Sequence, residues 1–456
     1  MTQWNPNLDI FQACDIRGIF GKTLFEKDAE HLGFAFAMAL KDVPHKAIAV
    51  LRDARQSSPI LSEALIRGIT MAGWDAVDLG IGPTPLLYYS VDVLDVAGGI
   101  MITASHNPKD YNGFKLCTKS GPFFGDALKK LTETRDFTQK AAVMGKKEER
   151  FMMSCYTAWL TKGLTLTGKP LKIIWDMGNG VCGETTAGVI SKISAIHVII
   201  NATPDPSFPV HHADPADLKN MVQLKNFVLK ERADLGVAFD ADGDRVGFVD
   251  KKGNVWFGED LAYLFTDDLL KKHPGASFIV DVKMSDQVAA WVQARGGHVI
   301  LNRTGHAFIK EALKTSPAIF AVEYSGHVYF KERFTGMDDG LYAALRVIEL
   351  IMQGASLSDL YETFPEGHGI GEELVTFPNH QAKQEAMETL KTLLKKEGAA
   401  FSDLDGIRVS KDAGWWLIRG SNTVPALTLR VEGASLKGLH TMQAEMDGYL
   451  KKAALR

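Results

Sequence analysis

Cysteine is scarce in this sequence, and its cysteines are not paired. The chain of 456 residues contains only Cys14, Cys117, Cys155 and Cys182, which are widely scattered and form no Cys-x-x-Cys motif. A disulfide framework of the kind found in small secreted domains is therefore excluded, and so is a cysteine-based zinc site. We expect four reduced thiols.

The sequence also lacks a strong charge of either sign and any long apolar run. Lys and Arg total 51 against 55 Asp and Glu, for a net charge of −4, which gives no electrostatic case for a nucleic-acid partner. No stretch of about twenty apolar residues is present, and Met1–Pro6 does not resemble a signal peptide. We expect a cytoplasmic protein without a membrane partner. Its length predicts two to four domains.

The stretch Thr103–Pro108 is the first with chemical character. It follows the small, apolar run Val96–Ile102, which predicts a buried strand that presents Ser105 at its end. A serine hydroxyl needs activating neighbours to act as a nucleophile, and His106, Asn107 and Lys115 are near in sequence. Ser105 is therefore a candidate covalent site, although Ser-His-Asn-Pro is also an ordinary turn.

A second polar stretch contains three carboxylates at alternate positions. Asp240, Asp242 and Asp244 follow the strand-like run Asp234–Phe239 and precede further apolar residues. Three buried carboxylates repel one another unless a cation is present, and all-oxygen ligands favour Mg²⁺ over zinc. A solvated acidic turn is the alternative. Arg245, directly after the triplet, has the geometry to bind a phosphate with two hydrogen bonds.

Two later stretches combine groups that suit a sugar phosphate. In Glu323-Tyr-Ser325-Gly-His327 a carboxylate and a hydroxyl two residues apart suit neighbouring sugar hydroxyls. Arg419-Gly-Ser-Asn-Thr423 brings a guanidinium, two hydroxyls and an amide together, which is typical of a phosphate cradle, with a plain hairpin turn as the alternative. Lys283 and His306 are single polar residues at predicted strand ends.

Together these four stretches, in this order, resemble the signature loops of the alpha-D-phosphohexomutase family, most like its phosphomannomutase/phosphoglucomutase group. The resemblance implies a phosphoserine enzyme that interconverts hexose 6-phosphate and hexose 1-phosphate, of mannose and/or glucose, through hexose 1,6-bisphosphate. It implies one Mg²⁺ per chain, held by Ser105, Asp240, Asp242 and Asp244. The catalytic residues we expect are Ser105, Arg17, His106, Lys115, Arg245 and His306. The substrate-binding residues we expect are Lys283, Glu323, Ser325, His327, Arg419, Ser421, Asn422 and Thr423.

Several positions depart from the family pattern. Cys14 replaces the usual tyrosine, Val322 and Ala241 stand where glycine is usual or common, and Val424 follows the phosphate loop. Because Tyr324 occupies a position that varies with sugar preference, the preferred hexose stays open. Two alternatives remain: a phosphoglucosamine mutase, and a non-catalytic sugar-phosphate-binding protein. The chain is expected to be a monomer or a homodimer.

Alternation of apolar strands and amphipathic helices predicts an α/β fold. We expect three similar mixed α/β-sheet domains and a smaller C-terminal α+β domain around a central cleft. The third opens with an expected helix over 259–271. A helix over about 148–162 would join the first two domains, and 367–371 would be a linker. The predicted domains are 1–150 with the phosphoserine loop, 151–253 with the metal-binding loop, 254–365 with the sugar-binding loop and 366–456 with the phosphate-binding loop.

Overall fold

Four β-sheets follow one another along the chain. The computed structural model of the protein describes residues 4–134, 141–421 and 424–455. Within these ranges no helix has both the length and the apolar character that crossing a bilayer requires. The strands of each sheet lie in one predicted domain segment, except that the short strand Val255–Trp256 of the second sheet lies in the segment 254–365; the boundaries between segments stay predictions.

The first sheet has seven strands, in the order β1-β5-β4-β2-β3-β7 with β6 against β5. Helices α1 and α2 pack on each other, and α2 packs on β2. The strands are β1 (Ile16–Ile19), β2 (Ala47–Arg52), β3 (Asp75–Ile81), β4 (Gly98–Ile102), β5 (Tyr111–Thr118), β6 (Gly121–Phe123) and β7 (Lys147–Glu149). The helices are α1 (Glu26–Ala39), α2 (Ser58–Met71), α3 (Thr84–Val93) and α4 (Asp126–Lys130).

The second sheet has five strands, in the order β12-β11-β10-β8-β9. The strands are β8 (Leu171–Asp176), β9 (Ala195–Ile200), β10 (Leu235–Phe239), β11 (Val246–Asp250) and β12 (Val255–Trp256). The helices are α5 (Met153–Leu160), α6 (Cys182–Ile190) and α7 (Val222–Glu231). The expected helix over 148–162 is wrong at its start, because 147–149 pairs with β3 as a sheet-edge strand and the helix begins only at Met153.

The third sheet has four strands, in the order β14-β13-β15-β16. The strands are β13 (Ser277–Asp281), β14 (His298–Asn302), β15 (Phe320–Val322) and β16 (Val328–Phe330). The helices are α8 (Glu259–Lys272), α9 (Asp286–Ala294), α10 (His306–Thr315), α11 (Gly340–Met352) and α12 (Leu357–Tyr361). Helix α11 is buried over most of its length, as expected for a helix that is apolar on nearly all sides. It packs against β10, β11 and β16 and so joins the second and third sheets.

The fourth sheet is antiparallel, in the order β17-β20-β19-β18, as expected for an α+β domain. The strands are β17 (His368–Thr376), β18 (Ile407–Lys411), β19 (Gly414–Gly420) and β20 (Ala426–Gly433), and the helices are α13 (His380–Lys396) and α14 (Leu436–Lys452). The linker expected at 367–371 is wrong, because β17 begins at His368. The two glycines and the exposed polar residues of β17 give it the composition of a loop, but its backbone pairs with β20 as an edge strand.

The first three sheets repeat one arrangement around their functional loops. In each sheet three neighbouring strands are parallel, and a fourth is antiparallel to the third. The strand orders are β3-β2-β4-β5, β9-β8-β10-β11 and β14-β13-β15-β16. In every case the loop between the third and fourth strands is one of the polar stretches read from the sequence. The loop after β19 likewise joins two antiparallel strands. These repeats confirm the expected fold class, with three α/β domains and a different fourth.

One continuous hydrophobic core runs through the first three sheets. It contains, for example, Leu51 of β2, Trp175 of β8 and Phe278 of β13. The fourth sheet has its own separate core, and its apolar contact with the third sheet is a small buried cluster of Val282, Trp415 and Leu417. The first three sheets are therefore packed as one body, whereas the fourth is attached mainly through polar contacts.

Candidate active site

Ser105 lies directly beyond β4, where the sequence predicts it. The side chain is buried, and its Oγ donates a hydrogen bond of 2.8 Å to Asp240 Oδ2, 135 residues away in sequence. His106 Nδ1 is 3.2 Å from the same hydroxyl. The backbone φ of Ser105 is 49°, a region that residues other than glycine adopt rarely and that is common at functional turns. The first two predicted motifs therefore meet at this serine.

Two buried arginines hold the serine loop in this conformation. Arg55 donates to the carbonyls of Ser105 and Asn107 at 2.6 Å, and its Nε is 3.2 Å from Asp53. Arg17 donates to the carbonyl of Ala104 at 3.0 Å and to the Asn107 side chain. Arg17 therefore lies beside the serine loop and contacts its backbone, the Asn107 side chain and Asp15, while its catalytic role stays a prediction.

The acidic triplet forms the turn between β10 and β11, and all three carboxylates are fully buried. Oxygen atoms of Asp240, Asp242 and Asp244 all lie within 4.8 Å of one another. Gly243 has a φ of +75°, and a Cβ on it would be 2.4 Å from Cys182 Sγ. Ala241, by contrast, is not in the positive-φ region, so the alanine that departs from the family pattern fits the turn without strain.

Two cations partly neutralise these carboxylates. Lys115 Nζ lies 2.7 Å from Asp242 and 2.5 Å from Asp244. Arg245 Nε lies 3.0 Å from Asp240, and another of its nitrogens is 3.0 Å from Asp214. Three carboxylates thus have two cations beside them, and one of these cations, Arg245, also pairs with a fourth carboxylate, that of Asp214. The triplet is therefore short of positive charge.

The pKa values of the triplet reflect this imbalance. Burial, only partly opposed by Arg245, raises the pKa of Asp240 to about 7. Burial acts in the same direction on Asp242 and Asp244, but Lys115 outweighs it and lowers the pKa of both carboxyls. At neutral pH, Asp240 is thus the carboxyl of the three that ionises least readily.

The residues fit a hard divalent cation. Oδ1 of Asp242 and Oδ1 of Asp244 are buried and have no hydrogen-bond partner within the described parts of the chain. Buried carboxylate oxygens without donors are costly, and oxygen ligands at this spacing are what Mg²⁺ prefers. Thr84, which has no recognisable motif around it, supports the group by donating to Asp242 Oδ2 at 2.7 Å.

The third predicted loop contacts the metal loop directly. The backbone N–H of Val246 donates to the carbonyl of Gly326 at 3.2 Å, and His327 pairs with Arg245 in an isolated bridge. His327 Nδ1 lies 3.1 Å from Asp338 and 3.6 Å from Asp244. Although burial opposes it, Asp244 and Asp338 raise the pKa of His327. The side chain predicted to bind substrate thus lies against the metal loop.

Glu323 and Ser325 differ in their surroundings. Glu323 is buried and accepts hydrogen bonds from Tyr329 Oη at 2.5 Å and from the Gly305 N–H at 2.7 Å. Ser325 is partly exposed. A buried carboxylate held from both sides has a fixed orientation, which suits recognition of a hydroxyl by its remaining lone pairs.

Two histidines at the border of the site, His106 and His306, are neutral. Burial and the charges of Arg245 and Arg17 lower the pKa of His106 well below its usual value. Burial, followed by Lys310 and Lys115, does the same to His306, whose Nε2 is buried without a partner among the described residues. Both rings therefore carry no charge at neutral pH.

Lys310 is a buried residue that no motif marks. Its Nζ lies 2.7 Å from Asp338, 2.7 Å from Tyr88 Oη and 3.2 Å from His306 Nδ1. It therefore connects the start of α10 with the His327–Asp338 pair. Only its helical spacing from His306, four residues earlier, places it on the same face of α10.

The predicted phosphate-binding loop lies at the end of β19, across a cleft from the serine loop's sheet. Arg419 Nε is 3.0 Å from Asp405, and Lys283 Nζ is 3.0 Å from Glu372. The carbonyl of Ser421 accepts a hydrogen bond from Lys383 at 2.8 Å. A cavity of about 730 Å³ opens here between the first, third and fourth parts, with Gln12, Arg303 and Lys383 among its lining residues. Asn422 and Thr423 lie outside the described residues.

The proline-rich segment that follows β9 contacts the serine loop. His211 Nε2 lies 2.9 Å from Asp176, and His212 Nε2 contacts the carbonyl of His106. The cation of Arg55 lies 5.6 Å from the Phe208 ring. These two histidines therefore connect the second sheet with the serine loop.

Models of four protein domains match the chain in succession. They are described as phosphoglucomutase/phosphomannomutase alpha/beta/alpha domain I (residues 8–140), domain II (156–253) and domain III (257–367), and as the C-terminal domain (375–448). Together they cover most of the chain.

Curated proteins and a solved structure are similar over nearly the full length. The chain is 37% identical over 446 residues to a phosphomannomutase/phosphoglucomutase of Pseudomonas syringae pv. tomato, covering 98% of this chain and 96% of that protein. It is 36% identical to a phosphoglucomutase of Neisseria gonorrhoeae, covering 95% of each. A crystal structure of a phosphoglucomutase/phosphomannomutase family protein from Burkholderia thailandensis superposes with a TM-score of 0.90 at 34% identity, covering 99% of this chain and 98% of that one. The chain belongs to the phosphoglucomutase/phosphomannomutase family.

Proposed function

We propose that the protein interconverts hexose 6-phosphates and hexose 1-phosphates, of mannose and/or glucose, through a phosphoserine at position 105. The observation that carries the proposal is the hydrogen bond of 2.8 Å between Ser105 Oγ and Asp240 Oδ2. It brings the only hydroxyl of the serine loop with activating neighbours against a buried acidic triplet. Phosphoryl transfer needs alignment and neutralisation of charge, and this contact is where both would be supplied.

The reaction would run in two halves. In the first, the bond between Ser105 Oγ and phosphorus breaks while a bond forms from phosphorus to the free hydroxyl of the hexose phosphate, which gives hexose 1,6-bisphosphate. In the second, after the bisphosphate has reversed its orientation, a bond forms from Ser105 Oγ to the phosphorus of the other phosphate while the bond from that phosphorus to the sugar oxygen breaks. The sugar oxygen takes up a proton in place of the one lost by the serine, and the isomer leaves. Each half transfers one phosphoryl group and one proton, so the enzyme ends as it began.

Some residues around Ser105 are positively charged, and others exchange hydrogen bonds or protons. Arg245 and Lys115 stay charged, because their carboxylate partners outweigh burial and raise the pKa of both. They would stabilise negative charge on the transferred group. His306 is neutral, and because the Lys310 ammonium can only donate to its Nδ1, the ring hydrogen is on Nε2, so His306 would donate a hydrogen bond at the site. The Ser105 hydroxyl donates its single hydrogen to Asp240 Oδ2, and His106 Nδ1 lies 3.2 Å from the same oxygen.

Mg²⁺ would be held by Asp240, Asp242 and Asp244, with Ser105 as the fourth protein ligand. When bound, Mg²⁺ supplies the positive charge that the buried triplet lacks and that the phosphoryl group requires. We propose one ion per chain and hexose 1,6-bisphosphate as intermediate and activator. We also propose a cytoplasmic location, which four free cysteines support, and a monomeric or homodimeric state.

The sugar would be recognised from two sides of the cleft. Glu323 and Ser325 would bind sugar hydroxyls in either orientation of the substrate. Lys283, Arg419, Ser421, Asn422 and Thr423 would hold the phosphate that does not react. Because the same groups serve both orientations, they suit a sugar in which the two ends exchange places.

The direct test is Ser105→Ala. We expect the variant to lose turnover of mannose 1-phosphate and glucose 1-phosphate, measured with a trace of the matching bisphosphate, while its circular dichroism and melting temperature stay those of the parent. Ser154→Ala, at an exposed serine of α5, is the matched control and should retain full activity.

Intact-mass spectrometry provides an independent measurement. After incubation with glucose 1,6-bisphosphate, the parent should gain the mass of one phosphoryl group and Ser105→Ala should not. Retained turnover in Ser105→Ala would remove the serine from the mechanism. Phosphorylation without turnover would favour a sugar-phosphate-binding protein, and faster turnover of glucosamine 6-phosphate than of mannose 6-phosphate would favour a phosphoglucosamine mutase.

A further inference from the structure

Two cations that are expected to bind substrate near the phosphate loop, Arg419 and Lys283, are already neutralised. Arg419 is buried with Asp405 at 3.0 Å, and Lys283 is buried with Glu372 at 3.0 Å. Each pair is close to neutral as a unit, whereas the phosphate of a hexose phosphate carries nearly two negative charges at neutral pH. These pairs therefore offer positioned hydrogen-bond donors but little net charge. A strong clamp needs a further positive charge.

Lys383 provides such a charge at the same loop. It projects from the first turn of α13, and its Nζ donates to the carbonyl of Ser421 at 2.8 Å and lies 3.1 Å from His380 Nδ1. Within the described parts of the chain, no carboxylate is within ion-pair distance of Lys383. Its side chain also runs along Gly420, where an added Cβ would be 3.7 to 3.9 Å from its outer atoms.

The surroundings of Lys383 favour an anion beside it. The side chain is half-buried, and it lines the cavity of about 730 Å³ together with Ser421. Burial and the nearby Arg419 both lower the pKa of Lys383, so the ammonium ion is destabilised where it stands. A bound phosphate would reverse this effect, because an opposite charge nearby favours the charged form of a lysine.

We infer that Lys383 is a phosphate ligand of the substrate, a further cation beside Arg419 at the end of β19. This inference rests on the proposed function and adds a residue to it. The ammonium group would contact the phosphate that is not being transferred, while Arg419, oriented by Asp405, binds it through its guanidinium. Helix α13, which no sequence motif marks, thereby becomes part of the substrate site.

A purely structural role makes a different prediction. If Lys383 only supports the carbonyl of Ser421, then any side chain with a donor of similar reach should replace it. Lys383→Gln retains an N–H donor and removes the charge, and Lys383→Arg retains both. Lys391→Gln, two turns further along α13 and 3.8 Å from Glu388, removes a charge from the same helix away from the loop and is the matched control.

The experiment measures binding of glucose 6-phosphate by isothermal titration calorimetry in the full chain carrying Ser105→Ala, which prevents transfer. We expect Lys383→Gln to weaken binding by about tenfold, Lys383→Arg to stay within about twofold and Lys391→Gln to have no effect. With Ser105 present, Lys383→Gln should raise KM by a similar factor and change kcat little. Lys383→Met serves as a second neutral variant should Lys383→Gln melt at a lower temperature than its parent.

The outcomes separate the inference from the function. If the Ser105→Ala parent binds glucose 6-phosphate and Lys383→Gln binds it equally well, Lys383 is not a phosphate ligand, although the proposed function stands. If Lys383→Gln lowers kcat with KM unchanged, the residue acts on the loop and not on the substrate, which also overturns the inference. If the parent binds no hexose phosphate, the proposed function itself is wrong.

Discussion

At the scale of single residues, Lys115 is the group on which the charge balance of the site depends. It is buried, and it lies between Asp242 and Asp244 at distances of 2.7 and 2.5 Å. Removal of one partner from a buried ionic group leaves the others uncompensated, which is far more costly than loss of a surface pair. The same two carboxylates are proposed to bind Mg²⁺, so lysine and metal neutralise a common set of charges.

Lys115→Met tests this balance. We expect the metal-free variant to lose about 3 to 5 kcal/mol of the free energy of unfolding, because two buried carboxylates lose their cation. Mg²⁺ should restore part of the loss, so that it stabilises the variant more than the parent. Urea denaturation with Mg²⁺ or with a chelator measures both effects. Lys119→Met, at an exposed position after β5, is the control, and an equal loss with and without Mg²⁺ would contradict the prediction.

The pKa of Asp240 predicts how metal binding depends on pH. The folded pKa of about 7 lies above the ordinary value of 3.8, so this carboxyl's contribution to stability is full below about pH 4 and is lost as the pH rises through about 7. Mg²⁺ must displace the proton, so its affinity should rise up to about pH 7 and then level off. Calorimetry in two buffers of different ionisation enthalpy should detect proton release near pH 6 but not near pH 8.

Asp240→Asn provides the control for that measurement. It removes the titrating group, so any remaining Mg²⁺ binding should release no proton over the same range. An affinity of the parent protein that is constant between about pH 6 and pH 8 would show that Asp240 is already ionised in the metal-free protein.

The roles of single residues in the site were predictable where a recognisable motif surrounds them and not elsewhere. Ser105 and the acidic triplet follow buried strands. The chemistry of the triplet predicts a divalent cation, and the family resemblance adds Ser105 to its ligands. Lys310 and Lys383 have no such context, since a single lysine on a helix is usually solvated, and only tertiary packing brings them to the site. The position of His327 against Asp244 likewise depends on how two sheets meet.

At the scale of elements, the turn between β10 and β11 is the most constrained part of the site. Gly243 has a φ of +75°, and a side chain there would meet Cys182 and Pro83. The carbonyl of Gly243 also accepts a hydrogen bond of 3.1 Å from the N–H of Gly340 at the start of α11. The turn is therefore fixed from the first, second and third parts of the chain at once.

Gly243→Ala should distort this turn. We expect a loss of about 2 kcal/mol or more of the free energy of unfolding, from the positive φ and the contact with Cys182, and Mg²⁺ affinity should fall more steeply than stability. Ala241→Gly is the matched control two residues earlier. Because Ala241 is outside the positive-φ region, its change should cost less than about 1 kcal/mol. Equal effects of the two substitutions would contradict the prediction.

The elements were predictable in proportion to how apolar they are. Buried runs such as 98–102 and 235–239 were recognised as strands because every residue in them faces the core. The edge strand β17 was not, because it is held by backbone pairing with β20 and has few buried side chains. For the same reason β7 was taken for the start of a helix.

At the scale of the whole molecule, the fourth sheet is joined to the third through charged groups. Arg430 of β20 lies 2.7 Å from Glu259 and contacts the carbonyl of Lys283, and its guanidinium lies 3.9 Å from the centre of the Tyr324 ring. Glu432 accepts a hydrogen bond of 2.6 Å from Ser285. A polar junction of this kind favours relative movement of its two sides more than a hydrophobic one does.

Arg430→Gln should loosen this junction. We expect KM for hexose phosphates to rise about threefold to tenfold with a smaller change in kcat, because the phosphate clamp would face the rest of the cleft less often. Small-angle scattering should show a larger radius of gyration. Lys411→Gln, which breaks an exposed pair of 2.6 Å with Glu445 within the fourth part, is the control. An unchanged radius and KM would show that Arg430 does not hold the junction.

The architecture as a whole was predictable because the four loops keep their order along the chain. Repetition of one strand order in three sheets could not be read from a single sequence, since the three sets of strands differ in residues and share only their pairing. The way the sheets pack into one core was equally hidden, because the residues of that core come from segments more than two hundred positions apart.

The centre of the molecule is assembled from Ser105, the carboxylates at 240–244 and the pair His327–Asp338. During translation the pair His327–Asp338 emerges from the ribosome only after roughly three quarters of the polypeptide, so the nascent chain cannot complete this centre before then. The remaining quarter brings the proposed phosphate clamp. Cutting the gene near the codon for Phe364 should therefore yield two pieces that are each inert and that regain turnover when co-expressed.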